Sequence, residues 1–335
     1  MIGSKYFHAV SMDELCSKLC ENKKTLIIFH ARPDADAIGS AFALREILRM
    51  MNVPAICACA DEVPERLRFL TDGVQGSVLL EDGMSLDHER VISVDSASPQ
   101  QLGPLFERLH RDVDLMIDHH GSGTVYADHF IDPTASATGE MMYEIALYLL
   151  EAGKIPELPP RVINGCYAAI CSDTGCFRHA NTTPRTLRTV AELLELGAAQ
   201  NDINRRLFES KTEKQVRAEG EAARRLRLYD GGRIAAVTFP YTSKRDLCLA
   251  DENLETIIDI PRSIGGVEVA FSVRQPDEEG FFRVSMRSNG DADVAAICAT
   301  FGGGGHVRAA GCSLEAKDVY EAEELLLAKI RQMIS

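Results

Sequence analysis

The chain has 335 residues, of which 45% are hydrophobic, so it can bury a large core and is predicted to form about two domains. Its net charge of −14 argues against binding to long duplex nucleic acid, because such binding needs many lysine–phosphate and arginine–phosphate contacts. The N-terminus lacks a signal-peptide pattern, and no apolar run approaches the roughly 20 residues that span a bilayer, so we expect a cytoplasmic protein without membrane contact. The ten cysteines form no C-x-x-C pair and are interpreted as reduced thiols.

Short apolar runs alternate with helical patterns in the first part of the chain. Strands are predicted at residues 25–30, 54–60, 78–80, 91–95 and 115–118. Helices are predicted at residues 11–22, from the loop at 31–40 to Met51, and at 100–109. Strands that alternate with helices in this way predict a parallel, doubly wound α/β sheet.

The pattern becomes helical after Pro133 and changes again after Gly231. Helices are predicted at residues 136–151, 160–170, 183–196 and 202–209, followed by a charged helical stretch at 212–228. Further on, strands are predicted at 233–239, 267–274 and 281–288, with helices at 292–301 and 318–334. We therefore predict a first domain at residues 1–198, a helical connector at 199–229 and a smaller α+β domain at 230–335.

Three predicted strands end in residues that bind metals. His30 follows the first strand and is itself followed by two aspartates, Asp95 ends another strand, and the Asp118-His119-His120 tripeptide ends a third. Because parallel strands present their carboxyl ends at one edge of a sheet, we expect these side chains to meet there. The candidate ligands are His30, Asp34, Asp36, Asp95, His119 and Asp173.

The composition of this ligand set predicts both the metal and the reaction. Carboxylates with only two imidazoles favour Mn²⁺ or Mg²⁺ over zinc, and the imidazoles favour manganese. Six ligands exceed the need of one ion, whereas two ions about 3.5–4 Å apart that share a carboxylate would use them all. Such a pair activates water for hydrolysis of a phosphoester. Taken singly, Asp95 and Asp173 could instead cap a helix or a turn.

A glycine-rich segment in the second domain is a candidate anion-binding site. Residues 302–305 are all glycine and precede His306, while Ser285 and Arg287 alternate along a strand upstream. Glycines allow a backbone to approach an anion, and Arg287 could bind a phosphate or stack on a base. The same glycines could also form only a flexible turn.

These motifs, in this order, resemble the DHH phosphoesterase family, which is named for the Asp118-His119-His120 tripeptide. Residues 30–40 are similar to the first family motif, residues 94–96 to the second and residues 172–178 to the fourth. Residues 284–288 and 302–311 resemble the family's C-terminal substrate domain. The resemblance extends over nearly the whole chain and is strongest to the stand-alone bacterial nanoRNase and pAp phosphatase group.

The resemblance implies a Rossmann-like catalytic domain with two Mn²⁺ ions (or Mg²⁺) and a separate substrate-binding domain. One ion would be held by His30, Asp34 and Asp95. The other would be held by Asp36, Asp95, His119 and Asp173, with Asp95 as the bridge. His120 would contact the scissile phosphate, and Asp118 would orient the histidines. The far end of the nucleotide would be held by Arg287, Ser285, Gly303, Gly304, Gly305 and His306.

By the same resemblance, the substrates are short oligonucleotides, linear dinucleotides such as pApA and pGpG, and 3′-phosphoadenosine 5′-phosphate (pAp). Cyclic di-AMP is the nearest alternative substrate. A manganese pyrophosphatase is an alternative activity, which we rank lower. A nucleotide-binding regulator without catalysis is the alternative of a different class. The sequence leaves open the base preference, the polarity of attack, the metal used in the cell and whether the chain forms a homodimer.

Overall fold

The computed structural model of the chain describes residues 7–71, 77–79, 88–109 and 112–334. The chain divides into two compact units, Met1–Ser210 and Lys211–Ser335. None of the helices in the described ranges is both long enough and apolar enough to cross a membrane.

The first unit is built on a sheet of six parallel strands. These are β1 (Thr25–Phe29), β2 (Ala55–Cys59), β3 (Ser77–Leu79), β4 (Arg90–Val94), β5 (Leu115–Asp118) and β6 (Asp128–Ile131). Their order across the sheet is β3-β2-β1-β4-β5-β6, and every neighbouring pair is parallel. The chain therefore moves outward in one direction from β1 and in the other from β4. Ligands bind at such a switch point in doubly wound sheets.

Helices cover this sheet and deliver further residues to its carboxyl edge. They are α1 (Met12–Cys20), α2 (Ala35–Met50), α3 (Pro104–Arg108), α4 (Thr138–Glu151), α5 (Pro160–Asp173), α6 (Pro184–Glu195) and α7 (Gln200–Asn204). Short 3₁₀ segments lie at Glu65–Leu70 and Pro99–Leu102, and a π-helical turn lies at Arg205–Glu209.

The central strand β1 is buried on both faces, which explains its continuous apolar sequence. Ile27 and Phe29 pack into a large core together with α2, while Leu26 and Ile28 pack into a smaller core on the other face.

Helices α2 and α5 pack with their backbones in close approach. A Cβ atom on Gly39 would lie 2.5 Å from the carbonyl oxygen of Gly165, and one on Gly165 would lie 2.7 Å from that of Gly39. Only glycine fits at such a crossing. The close approach brings the start of α2, which carries Asp36, beside the end of α5, which carries Asp173.

The second unit contains a mixed sheet of six strands. These are β7 (Leu226–Tyr229), β8 (Ile234–Phe239), β9 (Val269–Arg274), β10 (Phe281–Ser288), β11 (Gly304–His306) and β12 (Ala309–Glu315), in the order β11-β12-β10-β9-β8-β7. Only β8 and β9 are parallel to each other. The helices are α8 (Glu213–Arg224), α9 (Tyr241–Asp246), α10 (Asp259–Arg262), α11 (Val294–Ala299) and α12 (Val319–Met333), with 3₁₀ segments at Asp230–Gly232 and Asp251–Ile258. One face of the sheet packs against α11 and α12.

The fold class agrees with the sequence prediction, and residues 199–229, predicted as a helical connector, are divided between the two units. Residues up to 210 belong to the first unit, whereas α8 and β7 belong to the second. Strand β7 pairs with β8, and Ala218 and Ala222 of α8 are buried in the same small core as Phe239. Two alanines among many charges carry too little hydrophobic signal to reveal this packing from the sequence.

Four strands were not predicted, namely β6, β7, β11 and β12. Strand β6 has only two apolar residues and is half-buried at the sheet edge. Strands β11 and β12 are rich in glycine and alanine, residues that disfavour strands when taken alone. Pairing with β10 stabilises β12 despite this composition.

Candidate metal centre

The candidate ligands of the first unit meet at the carboxyl edge of three neighbouring strands. His30 directly follows β1, Asp95 directly follows β4, and Asp118 ends β5 just before His119. Because β4 lies between β1 and β5, Asp95 occupies the middle of the cluster. The structure therefore gathers these residues at the carboxyl edge of the sheet, beside the switch point between β1 and β4.

His30, Asp34 and Asp95 form the first ligand group. The Nε2 atom of His30 lies 3.6 Å from Asp34 Oδ1 and 3.6 Å from Asp95 Oδ2. The other ring nitrogen, Nδ1, lies 2.8 Å from the carbonyl oxygen of Ala31 and donates to it, which turns Nε2 toward the carboxylates. Asp34 is also the N-cap of α2, accepting a hydrogen bond from the backbone N–H of Ala37. Capping and ligation are thus compatible at this position.

Asp36, His119 and Asp173 form the second group. The Nε2 atom of His119 lies 3.3 Å from Asp173 Oδ2 and 3.8 Å from Asp36 Oδ2. Its Nδ1 atom faces the carbonyl oxygen of Ala135 at 3.3 Å, so here too the ring presents Nε2 to the carboxylates. In this group and in the first, the ligand-type atoms all lie within 4.8 Å of one another.

Asp95 connects the two groups because its two carboxylate oxygens face different partners. Oδ2 faces His30, while Oδ1 lies 3.8 Å from His119 Nε2 and 3.8 Å from His120 Nδ1. The residue is almost fully buried and has a φ angle of 53°, in the left-handed region that aspartate tolerates better than most residues. Asp95 is therefore in contact distance of both ligand groups.

Asp118 and His120 form a buried pair beside these groups. The Nδ1 atom of His120 donates to Asp118 Oδ1 over 2.7 Å. Asp118 is fully buried, and its Oδ2 has no hydrogen-bond partner among the described residues. Burial lowers the pKa of His120, but Asp118 and Asp95 outweigh this effect and raise it. The pair thus sets the ring orientation and favours its protonated form.

The four carboxylates of the centre are crowded and have no lysine or arginine partner in the described part of the chain; their ion pairs are with histidines. Burial and the nearby Asp95 and Asp173 carboxylates raise the pKa of Asp36 well above its usual value. Burial also raises the pKa of Asp173 to about 6, although His119 opposes the shift. Asp36 and Asp95 are buried, whereas the Asp34 side chain is about half exposed, and carboxylates packed this closely need compensating positive charge.

The negative charge of these carboxylates also changes the pKa values of the histidines. Burial alone would lower the pKa of His30, but Asp34 and Asp95 outweigh it and raise the pKa to about 12. His119 is affected in the same way by burial and by Asp173, Asp36 and Asp95, and its pKa rises to about 10. For Asp95, the raising effect of burial is overcome by His30, His119 and His120, which bring its pKa to about 2.

These observations fit a divalent cation. The Nε2 atom of His119 is buried and has no hydrogen-bond partner in the described residues, so a ligand-type atom is left unsatisfied inside the cluster. The donor set of carboxylate oxygens and imidazole nitrogens suits Mn²⁺ or Mg²⁺. The residues present could therefore hold the metal ions that the sequence predicts.

The start of α4 holds the carboxylates in place, and the sequence analysis missed this contribution. The backbone N–H groups of Thr138 and Gly139 donate to Asp36 over 2.8 and 2.9 Å, and Ser40 donates to the same carboxylate over 2.8 Å. The hydroxyl of Thr138 donates to Asp95 Oδ1 over 3.0 Å. A run of small residues that opens a helix soon after the Asp118 strand is the signal that could have identified it.

The predicted substrate residues form a second group, in the second unit. Ser285 and Arg287 lie on one face of β10, as the alternation in the sequence predicted. In β11, Gly304 pairs with Gly311, which in turn pairs with Ser285, so the glycine segment and β10 are joined through β12. The backbone of His306 ends β11, while its side chain lies outside what the structure describes.

The glycines of this segment differ in whether the structure requires glycine at their position. A Cβ atom on Gly303 would lie 2.2 Å from the Gly311 carbonyl oxygen, and one on Gly305 would lie 2.5 Å from that of Ala309. At Gly304, by contrast, a Cβ atom would point into open space. Gly303 and Gly305 are therefore required by close packing against β12, whereas Gly302 and Gly304 leave an open approach to the backbone.

Two family models match the chain. The DHH family N-terminal domain matches residues 24–170, and the DHHA1 domain matches residues 242–335.

Relatives of known name and a solved structure agree with this assignment. The bifunctional oligoribonuclease and PAP phosphatase NrnA of Thermus thermophilus is 31% identical over 314 residues, which cover 92% of this chain and 90% of the relative. The protein of the same name from Bacillus subtilis is 30% identical over 301 residues, covering 89% and 90%. The crystal structure of an exopolyphosphatase-related protein from Bacteroides fragilis covers 97% of both chains with a TM-score of 0.86; at 20% identity this likeness shows the fold alone. The chain belongs to the DHH phosphoesterase family and carries the DHHA1 domain.

Proposed function

We propose that this protein is a manganese-dependent enzyme that hydrolyses very short oligonucleotides to mononucleotides and pAp to AMP. Family membership makes the chain a hydrolase of phosphoester bonds; the metal and the substrates are the finer proposal. The observation that carries it is the position of Asp95, whose two oxygens face two separate ligand groups. The names of the Thermus and Bacillus relatives support the substrates.

The ligand assignment follows the two groups. His30, Asp34 and Asp95 would hold one cation, and Asp36, Asp95, His119 and Asp173 would hold the other. Bound there, two divalent cations supply the positive charge that stabilises the phosphoryl transition state and lower the pKa of an attacking water. Thr138 and Gly139 orient Asp36 and Asp95 through their hydrogen bonds and so preserve the spacing between the groups.

His120 is proposed to handle the proton of the leaving group. Its Nδ1–H donates to Asp118, so the proton that it can transfer is the one on Nε2. Asp118 and Asp95 raise the pKa of the ring against the effect of burial, which favours the imidazolium form that can donate this proton. When water attacks phosphorus and the ester P–O bond breaks, His120 Nε2 would protonate the departing oxygen, and Asp118 would stabilise the charged ring until then.

In the second unit, Ser285 and Arg287 are proposed to bind the part of the nucleotide that does not react, together with Gly303, Gly304, Gly305 and His306. Gly304 offers an open backbone on the same register row as Ser285. Recognition of one end of the substrate would limit the length of chain that can be cleaved, which suits very short oligonucleotides.

The proposal is tested by comparing substrates side by side. Purified protein is incubated with pAp, pApA, pGpG and cyclic di-AMP, each with Mn²⁺, Mg²⁺, Zn²⁺ or EDTA, and the products are quantified by liquid chromatography. We expect release of AMP or GMP from pAp and the linear dinucleotides, fastest with Mn²⁺ and absent with EDTA.

Other outcomes would favour the alternatives. Preferential cleavage of cyclic di-AMP would identify a cyclic dinucleotide phosphodiesterase. Tight binding of nucleotide without product in any divalent ion would indicate a regulator and would refute the proposed catalysis.

A further inference from the structure

One face of the second sheet carries a row of arginines and serines beyond those assigned above. In the register of β9 and β10, Arg274 lies opposite Arg283, and Ser272 lies opposite Ser285. Since directly opposed residues share a face, these four side chains lie on the same face as Arg287. The other face is occupied by the hydrophobic core against α11 and α12.

The Arg274 side chain is partly buried and weakly bonded. Its Nη1 atom donates to the Leu254 carbonyl oxygen and its Nη2 atom to Ser285 Oγ, both at 3.4 Å, near the limit of a hydrogen bond. Its Nε atom is buried and has no partner in the described part of the chain. A guanidinium has five N–H donors, so most of its capacity is unused. The hydroxyl of Ser272, in the adjoining row, is also buried and has no hydrogen-bond partner among the described residues.

Arg274 and Arg287 are distinguished from Arg283 because neither forms an ion pair with a described carboxylate. None of the ion pairs found among the described residues includes Arg274 or Arg287, whereas Arg283 pairs with Asp251 at 3.3 Å. Burial lowers the pKa of both Arg274 and Arg287, although Asp251 and Glu255 oppose this at Arg274 and Asp259 opposes it at Arg287. Two guanidinium groups are thus held partly out of water, and no carboxylate of the described residues forms an ion pair with either, which is costly unless an anion binds.

We propose that Arg274, together with Ser285 and Arg287, binds a terminal phosphomonoester of the nucleotide, so that Arg274 determines preference for substrates with a 5′-phosphate. This inference rests on the proposed function and extends it to a strand, β9, that no motif singled out. Through its hydrogen bond to Ser285, the Arg274 guanidinium lies beside the residue that is two positions before Arg287 on β10. A phosphomonoester carries about two negative charges and three acceptor oxygens, which two guanidinium groups satisfy better than one.

The test compares dinucleotides that differ only in the terminal phosphate. The ratio of kcat/KM for pApA to that for ApA is measured in the wild type, in Arg274→Gln and in Arg283→Gln. Arg283→Gln is the matched control, because it removes an arginine from the same face that is already paired with Asp251. We expect Arg274→Gln to lower kcat/KM for pApA about tenfold to 100-fold, the effect of charge-assisted hydrogen bonds, and to leave ApA within about twofold.

Equal losses for pApA and ApA, no loss for either, or the same selective loss in Arg283→Gln would overturn the assignment. If Arg274→Gln does not fold by circular dichroism, Arg274→Lys keeps the charge but loses the planar fork and must still lower the ratio several-fold. Failure of the phosphate site can be distinguished from failure of the proposed hydrolysis by measuring the binding of AMP and of adenosine in EDTA. The wild type should prefer AMP and Arg274→Gln should lose that preference even if neither dinucleotide is hydrolysed; a wild type without the preference would refute the phosphate site.

Discussion

Replacement of Asp95 by asparagine should separate the two ligand groups without disrupting the fold. The Asp95 oxygens lie 3.6 Å from His30 Nε2 and 3.8 Å from His119 Nε2, whereas asparagine has only one oxygen and must turn its NH₂ group toward one of them. At a separation of about 4 Å and an effective dielectric constant of about 20, loss of one unit charge beside a cation costs about 4 kcal/mol. We therefore expect kcat/KM to fall about 10³-fold.

The assay combines turnover of pApA with metal content. Wild-type protein dialysed against manganese should retain two ions per chain by mass spectrometry, and Asp95→Asn should retain fewer while its circular dichroism spectrum is unchanged. Asp128→Asn is the control, since Asp128 is a half-buried carboxylate that pairs with Lys18 at the start of β6, at the other end of the sheet. Retention of both ions and of more than about a tenth of the activity in Asp95→Asn would refute the bridging role.

Three further substitutions test how the centre is supported. Asp118→Asn should lower kcat about 10–100-fold with little change in manganese affinity, because an amide no longer stabilises the charged His120 ring; a matching loss of metal would contradict this role. Thr138→Val should weaken manganese binding about tenfold in calorimetry by removing the hydroxyl that donates to Asp95, and Thr138→Ser should restore it; identical affinities in both variants would exclude the hydroxyl. Gly165→Ala should lower the free energy of unfolding by about 1–3 kcal/mol in urea, because its Cβ would meet the Gly39 carbonyl, whereas Gly220→Ala in α8, with open space around it, should be neutral or stabilising.

The sequence alone predicted much of the candidate metal centre, because the candidate ligands are placed by local rules. A short apolar run that stops at His30, Asp95 or Asp118 specifies both a buried parallel strand and a polar residue at its carboxyl end. Alternation on β10 likewise placed Ser285 and Arg287 on one face. Such patterns depend only on the periodicity of the backbone, so they can be interpreted without knowledge of distant contacts.

Only the tertiary structure decided which groups far apart in the sequence support this centre. The hydrogen bonds from Thr138 and Gly139 to Asp36 span more than 100 residues, and no local pattern encodes them. The same is true of the weak hydrogen bond from Arg274 to Ser285, which depends on the register between β9 and β10. Periodicity specifies the face on which a side chain lies, whereas packing and strand register specify which partner it meets there.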